Sequence, residues 1–235
     1  MKKLLVLSLI VGAFGGAQAQ VFSNGPVVDG SGLSILTSGV EGTLGAGSNA
    51  AAVLADNFTV GAAGWNVTGL SFYGYQTGSL AYTFTNVTWA LRAGPDVNTA
   101  SIVASGITAS TNGGLVGYRV TTTTTTATNR PIFKIDLDIP DLVLPSGSYF
   151  VTWQLAGTGA SGPFVPPVLG SLGTGNALQS LLPAAFIPLT DSISLATFDV
   201  PFQIQGSVVP EPSTYAMLLA GGLAIGAMVR RRRQG

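Results

Sequence analysis

Residues 132–139 read IFKIDLDI, in which every second side chain from Phe133 to Ile139 is apolar and the three side chains between them are charged. Successive side chains of a β-strand point to opposite faces, so this alternation puts the apolar groups on one face and the charges on the other. The stretch therefore predicts a half-buried β-strand. We expect it to end at Pro140, which cannot donate a hydrogen bond to a neighbouring strand.

The same two-residue period recurs along the chain. Further alternating runs lie at residues 58–60, 65–75, 87–91, 149–155, 193–195 and 200–204. In the run 65–75 the apolar parity changes at Gly69, which indicates a β-bulge. The Gly- and Ser-rich residues 20–53 predict loops or short edge strands. No apolar helix period occurs between the two ends, so the pattern predicts an all-β domain, an antiparallel β-sandwich or jelly roll.

The N-terminal residues have the three parts of a secretory signal peptide. Residues 1–3 are positively charged, residues 4–16 are apolar, and Ala17 and Ala19 present small side chains two positions apart. This pattern predicts a signal helix at residues 1–19 that the general secretion machinery recognises. Signal peptidase would cut after Ala19 and leave Gln20 as the first residue. The apolar run is too short for a permanent membrane span.

The C-terminal residues also have three parts. They are a Pro-Glu-Pro motif, the uncharged run 215–229 and an arginine cluster. The motif is Val209, Pro210, Glu211 and Pro212, and the cluster is Arg230, Arg231, Arg232 and Arg233. As an α-helix the run would extend about 22 Å, less than the roughly 30 Å of a bilayer core. We therefore expect a short transmembrane helix that holds the chain in the membrane transiently, with the arginines as a cytoplasmic stop-transfer signal.

This C-terminal arrangement resembles the PEP-CTERM sorting signal. The resemblance covers residues 209–235 and implies recognition by an exosortase, which cuts near the motif and passes the protein to the cell surface or the extracellular matrix of a Gram-negative bacterium. Residues 20–208 would then form the mature β domain. Its second half, at residues 129–134, 144–149 and 161–167, is also similar to an uncharacterised group of secreted PEP-CTERM β proteins, which supports the fold and implies no activity.

The composition of residues 20–209 excludes many chemistries. Four basic residues face nine acidic ones, a net charge of −5, so we expect no nucleic-acid binding. The chain has no His and no Cys. Ser-His-Asp and Cys-His nucleophiles, the usual zinc sites and disulfides are therefore absent, and we predict no catalytic residue and no cofactor. The protein is expected not to be an enzyme.

Carboxylates are the remaining candidates for catalysis or metal binding. Asp136 and Asp138 lie on one face of the predicted strand, with Cα atoms about 7 Å apart, a separation compatible with glycoside hydrolysis. A solvated sheet face beside Lys134 is the interpretation we favour. Together with Asp141 the two could instead bind calcium, which prefers oxygen ligands.

Aromatic side chains could contact a sugar. Trp89 and Trp153 lie on apolar strand faces and are expected in the core. Tyr73, Tyr75 and Phe164 are better candidates for ligand binding. Phe164 lies in a Pro-rich segment that would either present its ring or cover an edge of the sandwich.

Three functions remain open from the sequence. We favour a structural or adhesive protein of an exopolysaccharide or biofilm matrix. The alternatives are a carbohydrate-binding module and a carboxylate-dependent glycoside hydrolase.

Overall fold

The computed structural model describes residues 19–209, which form β-strands joined by turns and loops. The strands are β1 Ala19–Ser23, β2 Leu33–Leu36, β3 Ala46–Gly47, β4 Ala52–Val60, β5 Trp65–Gly74, β6 Phe84–Ala93, β7 Ser101–Ala109, β8 Thr111–Thr121, β9 Pro131–Leu144, β10 Gly147–Gly157, β11 Phe164–Val165, β12 Leu178–Leu181, β13 Ile187–Pro188 and β14 Phe202–Val208.

The strands build two six-stranded sheets. The first sheet has the order β1-β14-β5-β9-β8-β2, and the second has the order β13-β12-β4-β10-β6-β7. A small pair, β11-β3, lies outside them. Every pairing is antiparallel except that of β2 with β8. The chain crosses between the sheets six times, and the predicted all-β sandwich is confirmed.

Strand β9 contains the alternating stretch 132–139, and its apolar face is buried. Phe133, Ile135, Leu137 and Ile139 all belong to the main core. Of the charged residues between them, Lys134 and Asp136 are half-buried and Asp138 is exposed. The alternation in the sequence thus assigns each side chain to its observed face.

Pro140 does not end β9, contrary to the expectation from the sequence. The pairing with β5 passes from Gly69↔Asp138 to Val67↔Leu142, so three residues around Pro140 lie opposite Thr68 alone. A bulge interrupts the ladder of hydrogen bonds at this point, and a residue without an N–H group is accommodated there. The strand continues to Leu144.

The bulge predicted at Gly69 is confirmed. The register of β5 shifts between Val67 and Gly69, and both Val67 and Leu70 face the core. A Cβ atom at Gly69 would lie 2.9 Å from the carbonyl oxygen of Leu137 and in contact with Gln205. Glycine is therefore required where the two strands approach so closely.

Aromatic rings fill the space between the sheets. Phe72 of the first sheet stacks on Trp153 of the second with ring centroids 4.9 Å apart. Phe58 stacks on Tyr149 at 5.5 Å and on Trp65 at 5.9 Å. Such pairs add about 0.5–1.5 kcal/mol beyond simple burial. The core positions predicted for Trp89 and Trp153 are confirmed.

The N-terminal part of the domain contains only short strands, as its composition predicts. β1 and β2 are the two outer strands of the first sheet, and β3 belongs to the small pair. The predicted signal helix at residues 1–19 lies almost wholly outside the described residues, and the helix at 215–229 lies entirely outside them. Within residues 19–209 there is no helix with the length and apolar character needed to cross a membrane.

One carboxyl group lies inside the sandwich. Asp56 of β4 is 1% exposed and neighbours Leu54 and Phe58 of the core along the strand. The side-chain amide of Asn24 and the backbone N–H of Val200 donate hydrogen bonds to it, at 2.7 and 3.2 Å. Burial, together with the negative charge of Asp199, raises the pKa of Asp56 to about 7. This group is protonated under mildly acidic conditions.

Asp56 should make the domain less stable as the pH rises toward 7. In the unfolded chain this carboxyl titrates near 3.8, so between these values only the folded state holds the proton. The free energy of unfolding is therefore expected to fall by about 3 kcal/mol between pH 5 and pH 8. Asp56→Asn should remove most of this slope in urea unfolding.

The exposed Asp138 provides the matched control. Asp138→Asn changes the same functional group and should keep the slope of the wild-type protein. Equal slopes in wild type and Asp56→Asn would contradict the assignment.

Candidate functional site

The carboxylates of β9 lie on the outer face of the first sheet. Ser71 Oγ donates a hydrogen bond of 2.6 Å to Asp136, and Lys134 Nζ lies 3.2 Å from the same carboxylate. Gln205 Nε2 lies 3.5 Å from it. Asp136 is thus held by neutral and cationic partners on its own sheet. The solvated face that we favoured is exposed at Asp138, whereas Lys134 and Asp136 are half-buried on it.

The alternative of a calcium site at Asp136, Asp138 and Asp141 is not supported by the described residues. Within residues 19–209 no three carboxylate, imidazole or thiol groups lie close enough together to hold a metal ion. Asp136 is already engaged by Ser71 and Lys134.

The aromatic candidates do not form an exposed row, which corrects the expectation for Tyr73 and Tyr75. Tyr73 is 5% exposed and Tyr75 is 1% exposed. Both lie in a small second core with Val27 and Ile132. The N-terminal loop around Val27 covers this outer face of the first sheet, a long-range contact that the strand pattern alone does not reveal.

Tyr75 and Phe164 nevertheless lie side by side and line a cavity. Their backbones exchange two hydrogen bonds of 2.9 Å, and their ring centroids are 5.7 Å apart. The cavity has a volume of about 370 Å³, and Thr77, Arg130 and Ser161 are among its lining residues. Burial raises the pKa of Tyr75 to about 12, so its hydroxyl group stays protonated and able to donate. We call this cavity the Arg130 pocket.

A second cavity lies along β6, β7 and β10 of the second sheet. It has a volume of about 410 Å³ and we call it the Arg92 groove. Neutral polar side chains and apolar ones line it. They include Thr88, Ser105, Ile107, Thr152, Gln154 and Leu182. Arg92 Nε is buried here and has no hydrogen-bond partner in the described part of the chain.

The three arginines of the domain share one property. Within residues 19–209 the contact of Lys134 with Asp136 is the one ion pair, so none of these arginines has a carboxylate within 4 Å there. This is unexpected in a domain with nine acidic and four basic residues. Arg92 and Arg130 line cavities that open to solvent, and Arg119 is buried.

Arg119 has a structural task. Its guanidinium donates to the carbonyl oxygens of Leu44 and Thr43 at 2.6 and 3.0 Å and to Ser34 Oγ at 3.2 Å. Asp191 accepts backbone hydrogen bonds from Gly42 and Thr43 on the same loop. The pair therefore holds residues 42–44 against the sandwich, and Arg119 is not free for a ligand.

Only part of these sites is predicted from the sequence. Tyr75 and Phe164 are among the predicted candidates, but the two arginines beside the cavities are not. Arg92 follows Leu91 on the polar face of a recognisable strand, so its outward direction could be predicted. The absence of an acidic partner among the described residues could not be predicted, because an ion pair depends on residues distant in the sequence.

The sorting residues lie at the end of the chain. Val209 is the last described residue, and Pro210, Glu211, Pro212 and the cluster Arg230 to Arg233 lie outside the described part, as do Ala17 and Lys2 at the other end. The chain matches the PEP-CTERM protein-sorting motif at residues 208–233. No curated protein and no solved structure matches the chain.

The motif identifies the chain as an exported protein that is sorted by an exosortase. The match is confined to 26 residues near the C-terminus, so it defines a route of processing and not the activity of the β domain. The prediction of a PEP-CTERM sorting signal is confirmed.

Loss of the tripeptide should block this processing. With Pro210, Glu211 and Pro212 all replaced by alanine, the exosortase has no motif to recognise, and the protein should keep its arginine cluster and stay in the membrane fraction. Mass spectrometry of both termini measures the result. Ser213→Ala, just outside the tripeptide, is the control and should be processed normally. Recovery of uncut wild-type protein from cells that contain the exosortase would contradict the prediction.

Proposed function

We propose that this protein is a non-enzymatic component of an extracellular matrix and that it adheres to acidic exopolysaccharide. The observation that carries the proposal is that Arg92 and Arg130 each line an open cavity in an acidic domain and have no carboxylate within 4 Å among residues 19–209. A guanidinium presents a planar fork of N–H donors that matches the two oxygens of a carboxylate. A sugar that carries a carboxylate would supply the missing partner.

The other lining residues fit the same ligand class. The Arg130 pocket combines one half-buried ring, Phe164, with the hydroxyl groups of Thr77 and Ser161. Binding sites commonly join an apolar wall to a few oriented polar groups in this way. The Arg92 groove adds hydroxyl and amide groups along three strands, which suits an extended polymer.

The net charge of the domain favours binding of an acidic polysaccharide at specific sites over non-specific electrostatic binding. With a charge of −5, the surface as a whole repels a polyanion. Binding must then come from the local arginine sites, where several short contacts outweigh the repulsion. The arrangement therefore favours recognition of particular carboxylates and not a diffuse electrostatic attachment.

A non-enzymatic role is supported by the residue types and by the contacts of Asp136. The chain has no His or Cys to serve as a base or a nucleophile. Asp136 accepts a hydrogen bond from Ser71 and pairs with Lys134, so this carboxylate is already engaged by neighbours on its own sheet. A glycosidase needs a pair of carboxyl groups that are free to act on the glycosidic bond.

The arginines can be tested with a matched set of three variants. Arg130→Gln and Arg92→Gln each remove one positive charge from a cavity, and Lys134→Gln removes the same charge from an existing ion pair. We expect the first two to weaken binding to polygalacturonate by about 10-fold or more, since a hydrogen bond to a charged group contributes about 1.5–3 kcal/mol. Isothermal titration of the processed protein measures the affinities.

The control separates local recognition from net charge. Lys134→Gln should bind polygalacturonate almost as tightly as wild type does. None of the four proteins should bind neutral dextran well. An equal loss in all three variants would show a non-specific charge effect and contradict the proposal. So would wild-type binding to dextran that matches its binding to polygalacturonate.

The non-enzymatic role has its own test. Purified protein should release no reducing ends from acidic or neutral polysaccharides. Cleavage that disappears in Asp136→Asn or Asp138→Asn would instead establish a carboxylate-dependent hydrolase.

A further inference from the structure

The longest outer strand of either sheet is β7, and it continues almost directly into β8. Only Ser110 separates the two strands, so residues 101–121 run from the second sheet into the first. β6 pairs with one side of β7, and no strand within residues 19–209 pairs with its other side. β2 covers the free side of β8 only at residues 118–121. We call residues 101–116 the open edge.

The open edge has few of the features that normally protect a sheet edge. No charged residue and no proline occurs between Val97 and Tyr118. Large apolar side chains are exposed along it: Ile102 is 55% exposed, Ile107 is 73% exposed and Leu115 is 51% exposed. Natural proteins usually place lysine, proline or a covering loop at such an edge, because its free N–H and C=O groups can pair with another strand.

The other edge strands are short, so each offers few free backbone groups for pairing. β1 has five residues and β2 has four, and β13 has two, one of them Pro188. β7 has nine residues. A bulge at Val103 interrupts its pairing with β6, so the regular stretch is Ala104–Ala109. This stretch is long enough to receive another strand.

We propose that the open edge pairs antiparallel with the same edge of a second copy of this chain. The two second sheets would then join into one continuous sheet of twelve strands. Antiparallel pairing of identical strands follows a two-fold axis, so each copy contributes and receives the same contacts. The unpaired backbone groups specify an extended strand as the occupant, because only a strand can satisfy a row of alternating donors and acceptors.

The charge distribution indicates a copy of the same chain as that strand. Two domains of net charge −5 repel each other in most orientations. None of the 16 residues of the open edge is charged, so two copies can meet there without placing like charges opposite each other. The exposed Ile107 side chains would be partly removed from water at the contact.

Sedimentation velocity of the processed protein, without any polysaccharide, tests the assembly independently of the proposed function. Wild type is expected to form dimers as its concentration rises. Ile107→Lys introduces a charge that meets its own copy across the two-fold axis and should weaken the dimer by about 10-fold or more. Leu80→Lys is the matched control, since Leu80 is 70% exposed on the loop between β5 and β6 and does not belong to the edge strands, and it should dimerise as wild type.

Amide hydrogen exchange gives a second measurement. Protection of residues 104–109 should increase with protein concentration in wild type and in Leu80→Lys but not in Ile107→Lys. Melting temperatures of the two variants close to that of wild type would show that both are folded. The proposal is overturned if wild type stays monomeric up to about 1 mM, the range of weak complexes, or if Ile107→Lys dimerises as strongly as Leu80→Lys.

Discussion

Burial of one face of each sheet against the other holds this protein together. The chain has no cysteine, so no disulfide can constrain the unfolded state after export. Stability must then come from packing, and the ring contacts of Phe72 with Trp153 and of Trp65 with Phe58 join the sheets. Everything on the outer faces depends on this inner layer, since it sets which side chains of each strand point outward.

Two carboxyl groups of the domain have pKa values that are shifted in opposite directions. Asp191 lies under a loop; although burial acts to raise its pKa, backbone hydrogen bonds from Ser194, Thr43 and their neighbours hold that pKa well below its usual value. Asp56 lies inside the sandwich, where burial dominates and its pKa rises. The first group stabilises the fold above acidic pH, and the second stabilises it below neutral pH. A domain with both should be most stable under mildly acidic conditions.

The outer surfaces suggest how a domain with few reactive groups could act in a matrix. In the part of the chain that the structure describes, two cavities present arginines without acidic partners, and one long edge presents a strand without a neighbour. The Arg92 groove and the open edge share β7, so paired copies would bring two grooves into one continuous sheet. Two linked sites hold a polymer more tightly than one does, because binding of the second becomes intramolecular. Adhesion and assembly would then support each other on the same face.

Local patterns in the sequence were sufficient for the class of fold, the faces of β9, the bulge at Gly69 and the sorting route, because each depends on residues close together in the chain. Long-range contacts decided the rest. Strand β9 passes Pro140 because the strand bulges there against Thr68 of β5, and Tyr75 is buried because a loop more than 40 residues earlier covers it. The arginine cavities and the open edge likewise depend on long-range contacts: among the described residues no carboxylate lies beside these arginines and no strand pairs with the free side of the edge. A periodic pattern in the sequence carries no information about such a missing partner.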